Sequence, residues 1–142
     1  MQTFLPYPEF DLSAKSLDYR RLGKQRVETK QIINALLFGG GWKNHPAVKM
    51  WKGHEYALCE YGFAMCHEWK SRGYKDSTED FFADTLLSLS SSSNSKVKPS
   101  WIGNEDFHMS HKSNLIRKFA DHYGKLWPNV VNDLPYVWPN AY

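Results

Sequence analysis

Apolar residues recur at intervals of three and four along most of this chain, and the polar stretches between such runs carry helix caps rather than strand turns. Leu22, Arg26, Thr29, Ile33 and Leu37 share one stripe, with Ile32 and Leu36 flanking it. Leu58, Tyr61, Met65 and Trp69 form a second stripe at the same period. No convincing segment alternates with the period of two that a half-buried strand needs. The pattern predicts an all-α chain: a compact helical bundle with a long N-terminal helix and an aromatic C-terminal tail, as one domain over residues 1–142.

Punctuation divides the stripes. Pro6 and Pro8 hold residues 1–10 extended. Asp11 or Ser13 can cap a helix that runs to about Phe38 and stops at Gly39-Gly40-Gly41. Pro46 opens a short helix through Trp51. A long helix follows from His54 to Ser71, closed by Gly73. Ser77 or Thr78 caps the next, Glu79 to about Leu89. Residues Ser88 to Ser95 read as a flexible loop, and Asn104 caps a last helix to about Phe119. The rigid tail Leu134 to Pro139 is expected to pack back onto the body.

Composition changes this picture little, but the distribution of charge changes it. The net charge is only +3, yet Lys15, Arg20, Arg21, Lys24, Arg26 and Lys30 crowd the first helix. Lys112, Arg117 and Lys118 crowd the last. Clustered cations make an electrostatic footprint that the total conceals. Six Trp, eight Tyr and eight Phe fill a core and leave one or two rings to stack on a base. No apolar run reaches membrane-spanning length and no signal-peptide pattern is present, so no membrane partner is expected. Cys59 and Cys66 lie about 10 Å apart along a helix, too far for a disulfide. Core thiols in a reducing, cytoplasmic setting fit that spacing.

The chemistry concentrates between Leu17 and Glu28. Arg26 stands in line with core residues, and a buried guanidinium without a partner is very costly. Its partner is either a carboxylate, with Glu55 the candidate, or a ligand phosphate. Arg20, Arg21 and Lys24 are candidate phosphate contacts, Gln25 a candidate for base edges, and Trp51 or Trp101 a stacking surface. His108 and His111 share a helix face with Ser110, Ser113 and Asn114 nearby. No third ligand accompanies the two histidines, so a polar cluster, structural or ligand-binding, is expected instead of a metal. His45, in a loop before Pro46, is a candidate acid/base. No cofactor is expected.

Three segments together resemble the pyrimidine-dimer DNA glycosylase superfamily of the endonuclease V type. They are Leu17 to Glu28, Gly53-His54-Glu55 through Ser77, and the His- and Lys-rich last helix with its Tyr-containing tail. A bacterial and phage branch is more similar still. It shares Met1-Gln2-Thr3-Phe4-Leu5-Pro6, Arg20 to Glu28, His45 to Trp51, Ser110 to Leu115 and Asp133 to Pro139. The resemblance implies a compact helical fold with a cleft beside the first long helix. It also implies an N-terminal amine that attacks the sugar carbon and forms a Schiff base, assisted by a Glu. The base is released and the strand nicked. The position matching that Glu, after Tyr19-Arg20, is Arg21; Glu28 and Glu55 are the candidates to replace it. Gln2 is large, so Met1 is expected to be retained.

Three functions fit these residues. One is a glycosylase/AP-lyase-like protein acting on or binding a modified or damaged base in DNA. Another is a non-catalytic binder that sequesters a small nucleotide or nucleotide signalling molecule. The third is an enzyme on free nucleotides with His45, Glu28 or Glu55 as acid/base.

Overall fold

The computed structural model describes residues 1–90 and 96–139. Among these residues, seven helices follow an extended N-terminal segment: α1 (Phe10–Ser16), α2 (Tyr19–Phe38), α3 (Pro46–Lys49), α4 (Glu55–Ser71), α5 (Glu79–Ser90), α6 (Glu105–Lys118) and α7 (Ala120–Leu126). Among the described residues there is no strand, and no helix is long and apolar enough to cross a membrane. The fold class is all-α, as the periodicity predicts.

Helix α4 is the hub, because α1, α2 and α5 all pack on it. Its stripe Leu58, Tyr61 and Met65 is fully buried, and Trp69 packs at the rim of the core. Cys59 and Cys66 are buried free thiols, each pushed up to about 12 by desolvation. On the α5 side, Gly62 faces the buried ring of Phe82, and a Cβ there would lie 2.5 Å from Phe82 Cε1. Gly62→Ala is therefore expected to lower stability by roughly 1–3 kcal/mol, because overpacking outweighs the better helix propensity of Ala. Thermal denaturation of the purified variant checks this, and an unchanged Tm would mean that the Phe82 ring moves aside freely.

Several boundaries differ from the sequence pattern. The first helix is broken at Leu17 and Asp18, both extended, instead of running unbroken from Asp11 or Ser13 to Phe38. The cause lies far along the chain. Asp18 N–H donates to Tyr123 Oη at 2.9 Å, and that hydroxyl donates back to Asp18 Oδ1. Neither Ser77 nor Thr78 takes the first-turn amide of α5. Asp76 does, with Glu79 N–H donating to its Oδ2 at 2.7 Å, while the Thr78 hydroxyl donates to Oδ1 at 2.8 Å. Asn104 caps α6 as expected, accepting from Phe107 N–H at 3.1 Å. Beyond Phe119 the chain forms α7, which the sequence pattern missed. Its Gly124 and polar residues have weak helix propensity, and burial of Tyr123 anchors it. Ser88 to Ser90 of the expected Ser88–Ser95 loop belong to α5 instead, and residues 91–95 lie outside the described residues.

The tail packs back, held by a clamp that the charge pattern had assigned to the basic footprint. Arg117 donates to Asn132 O, Leu134 O and Asn114 Oδ1. Lys112 Nζ sits 4.7 Å above the Tyr7 ring. Of the three cations in α6, Lys118 alone lines a cleft beside the N-terminal segment.

Candidate active site at the N-terminal segment

Residues 2–5 are extended but belong to no sheet, so their peptide groups need partners elsewhere. Side chains supply them. Gln2 N–H donates to Glu28 Oε2 at 3.3 Å, and Phe4 N–H to Gln25 Oε1 at 2.9 Å. Leu5 N–H donates to His111 Nδ1 at 2.9 Å. Gln25 Nε2 donates to Gln2 O at 2.9 Å, and the one proton of the Tyr61 hydroxyl is shared between Phe4 O at 2.8 Å and Gln25 Oε1 at 2.6 Å. His108 takes N–H of Gly103 on Nε2 at 2.9 Å, so its Nδ1 carries the proton donated to Leu5 O at 2.7 Å. Trp51 Nε1–H reaches Thr3 Oγ1 at 3.0 Å.

The two histidines make this latch acid-sensitive. Burial, then the nearby His108, pushes His111 down from 6.5 to about 3. The folded state refuses a proton that the unfolded chain accepts, so stability is lost as pH falls from 6.5 toward 3. His108 is lowered too, mainly by desolvation, and adds in the same direction. Urea melts are expected to show stability falling by up to about 1.4 kcal/mol per pH unit below 6.5 from His111, with His108 adding in the same direction. A flat profile would show that the ring is not held neutral.

Beside this segment opens a cleft of about 1010 Å³. Arg21, Lys24, Gln25 and Glu28 occupy positions i, i+3, i+4 and i+7 of α2, a single helix face, and all line it. Arg20 and Lys118 add cations, Tyr19, Phe119 and Tyr136 add rings, and Met1, Gln2, Phe4 and Asp18 complete the wall. Arg21 pairs with Asp18 at 3.2 Å. Burial alone would raise the Asp18 carboxyl, but hydrogen bonds from Tyr123 and Arg21 hold it below its usual value. Arg20 is exposed and donates to Tyr19 Oη at 3.1 Å.

The other sequence candidates lie elsewhere. Arg26 does not meet Glu55: its guanidinium pairs with Asp76 and lies 4.4 Å above the Trp69 ring, outside the cleft. Asp76 comes from the α4–α5 connection, which no spacing rule links to α2. Glu55 is buried at the start of α4, where its Oε1 accepts Gly53 N–H at 3.2 Å. Trp51 is 0% and Trp101 9% exposed, packed edge to face in the core, and neither lines the cleft. Asn114 donates to Ser110 O and Leu134 O, tying the tail to α6. His45 caps α3, accepting Ala47 N–H on Nδ1 at 3.0 Å, with its ring between Trp42 and Trp138. Burial and then the Met1 amine lower its pKa, while Glu28 opposes them, so His45 feels two of the charged groups of the cleft.

Sequence reasoning missed Tyr136, Lys118 and Phe119 as cleft residues. Only the Tyr and Trp content of the tail hinted at the first, and its place is set by the Arg117 clamp.

The family model for pyrimidine dimer DNA glycosylase matches residues 1–82, which include the N-terminal segment, Glu28 and the basic face of α2. No curated protein and no solved structure matches the chain. The matched segment covers more than half of the sequence and holds most of the cleft wall. This chain belongs to the pyrimidine dimer DNA glycosylase family.

Proposed function

We propose that the cleft acts on a damaged or modified base in DNA by glycosylase and lyase chemistry, with the α-amine at the start of the chain as nucleophile and Glu28 as the assisting carboxylate. The observation that carries this reading is Glu28 Oε2, 3.3 Å from the backbone nitrogen of Gln2 in a cleft lined by Arg20, Arg21, Lys24 and Lys118. Arg21 stands where the family resemblance calls for a Glu, and Glu28 brings a carboxylate back to the same face, about 10 Å further along the helix.

The amine lone pair forms a bond to the sugar C1′ as the C1′–base bond breaks, and the base leaves with the electron pair and takes a proton. Loss of the remaining amine proton with opening of the sugar ring gives the imine. Removal of a C2′ proton then breaks the C3′–O bond and nicks the strand, and water releases the amine. Glu28, which lines the same cleft as Met1, is the carboxylate that moves protons at the amine in this reading. The cations hold the flanking phosphates.

Borohydride reduction in the presence of a duplex with one abasic site tests the reading. A covalent adduct that maps to the N-terminal peptide is expected, and its mass shows whether Met1 or Gln2 carries it. No adduct overturns the Schiff-base mechanism, and tight binding of a mononucleotide without product would then favour a sequestering role. Binding to the same duplex is expected to weaken steeply with salt. Neutralising Arg20 or Lys118 singly reduces the log–log salt slope by about 1. A slope unchanged in both variants would remove these residues from the phosphate contacts.

A further inference from the structure

The geometry points to Gln25 as a positioning residue that sets the separation between the N-terminal segment and Glu28. This rests on the proposed function above. Gln25 is 1% exposed, so its amide is desolvated and needs every partner it can find. A primary amide offers two donor hydrogens and an oxygen with two acceptor positions. Here all four are used. Oε1 accepts Phe4 N–H at 2.9 Å and a share of the Tyr61 hydroxyl proton at 2.6 Å, while Nε2 donates to Gln2 O at 2.9 Å and to Glu28 Oε2 at 3.1 Å.

The side chain thereby imitates a peptide unit of a neighbouring strand. It pairs with Gln2 and Phe4, the alternate residues that a strand neighbour would engage. With no side-chain position left over, Gln25 has nothing to offer a base edge. Its second donor hydrogen instead fixes the Glu28 oxygen that also accepts Gln2 N–H. Glu28 Oε2 therefore accepts from Gln2 N–H and Gln25 Nε2 together, and Phe4 N–H and Gln2 O, with the Tyr61 hydroxyl beside them, fix which way the Gln25 amide faces. A carboxylate that assists an amine must sit within hydrogen-bond reach of it, and small misplacements are expensive in rate. Gln25 is the group that holds both Glu28 and the Gln2 peptide unit that follows the amine.

The test is single-site cleavage of an abasic duplex by the full chain, with kcat and KM followed against pH, and with thermal denaturation alongside. Gln25→Glu keeps the side-chain size but places a carboxylate oxygen against Gln2 O and Glu28. Its kcat at pH 8 is expected to fall about 10²-fold with KM little changed. The loss recovers as pH drops, because protonation restores a donor toward Glu28. Gln25→Met has no donor, and its kcat stays low at every pH. If both variants fail to fold, Tyr61→Phe decides: a loss in kcat without a change in KM supports the role, and an unchanged kcat overturns it. Wild-type kcat and pH profile in Gln25→Glu, beside a dead Glu28→Gln, overturn the role of Gln25 alone. A wild type that neither cleaves nor traps overturns the proposed function, and the positioning role falls with it.

Discussion

Glu28→Gln is expected to lower base release and strand cleavage by about 10²- to 10⁴-fold, the usual worth of a positioned general acid or base. The substitution is nearly isosteric. Its amide oxygen can still accept from Gln2 N–H and Gln25 Nε2, so the N-terminal segment should stay in place. What disappears is the capacity to take a proton. DNA binding is expected to hold or tighten, because one negative charge leaves a cleft that Arg20, Arg21, Lys24 and Lys118 make positive. Single-turnover kinetics on a damaged duplex, with binding measured in parallel, separate the two effects. A variant that cleaves at nearly the wild-type rate would move the assisting role away from Glu28. Glu55, buried against Gly53 N–H in α4 and absent from the cleft wall, is poorly placed to inherit it.

Arg26→Ala is expected to destabilise the fold by about 3–5 kcal/mol, because it strands a buried carboxylate. The Asp76 side chain is 1% and the Arg26 side chain 12% exposed. The guanidinium also lies on the Trp69 ring, whose other contacts include the stacked ring of Tyr74 at 4.2 Å. Asp76 has a second duty as the cap of α5, so the loss reaches two helices. Burial alone would raise the Asp76 carboxyl, but hydrogen bonds from Thr78, Arg26 and the Glu79 amide hold it at about 2. A folded-state value below the ordinary 3.8 gives stability that is present above 3.8 and is lost as pH falls toward 2. Without Arg26 the carboxyl protonates at higher pH and no longer needs a cation. The penalty of Arg26→Ala is therefore expected to be larger at pH 7 than at pH 4 in urea denaturation. Below its melting temperature the variant should bind DNA as the wild type does, because Arg26 is outside the cleft. Lost binding in a folded variant would put Arg26 back among the ligand contacts.

These two residues show how far the sequence could be read. Periodicity placed Arg26 on the core face and demanded a partner for it. The partner, Asp76, lies 50 residues away on a connection with no periodic signal, so local spacing pointed to Glu55 instead. Glu28 was legible as one of two replacement carboxylates. The choice between them came from the folding of the N-terminal segment onto α2, which a helical wheel does not show. The aromatic residues were the least legible. Trp51 and Trp101 look like stacking surfaces in composition but are core residues, whereas Tyr136 reaches the cleft because Arg117 grips the carbonyls around it.

By itself the sequence determined the all-α class, most helix starts and stops, and the alignment of Arg21, Lys24 and Glu28 on one face. Those properties depend on hydrophobic period, proline and glycine geometry and caps, all of which act within a few residues. Tertiary structure alone decided the break at Asp18, the partner of Arg26, the burial of the tryptophans and the meeting of Gln2, Gln25 and Glu28. Each of these comes from a buried polar group that must find a hydrogen-bond partner, and burial brings together residues that the chain keeps far apart.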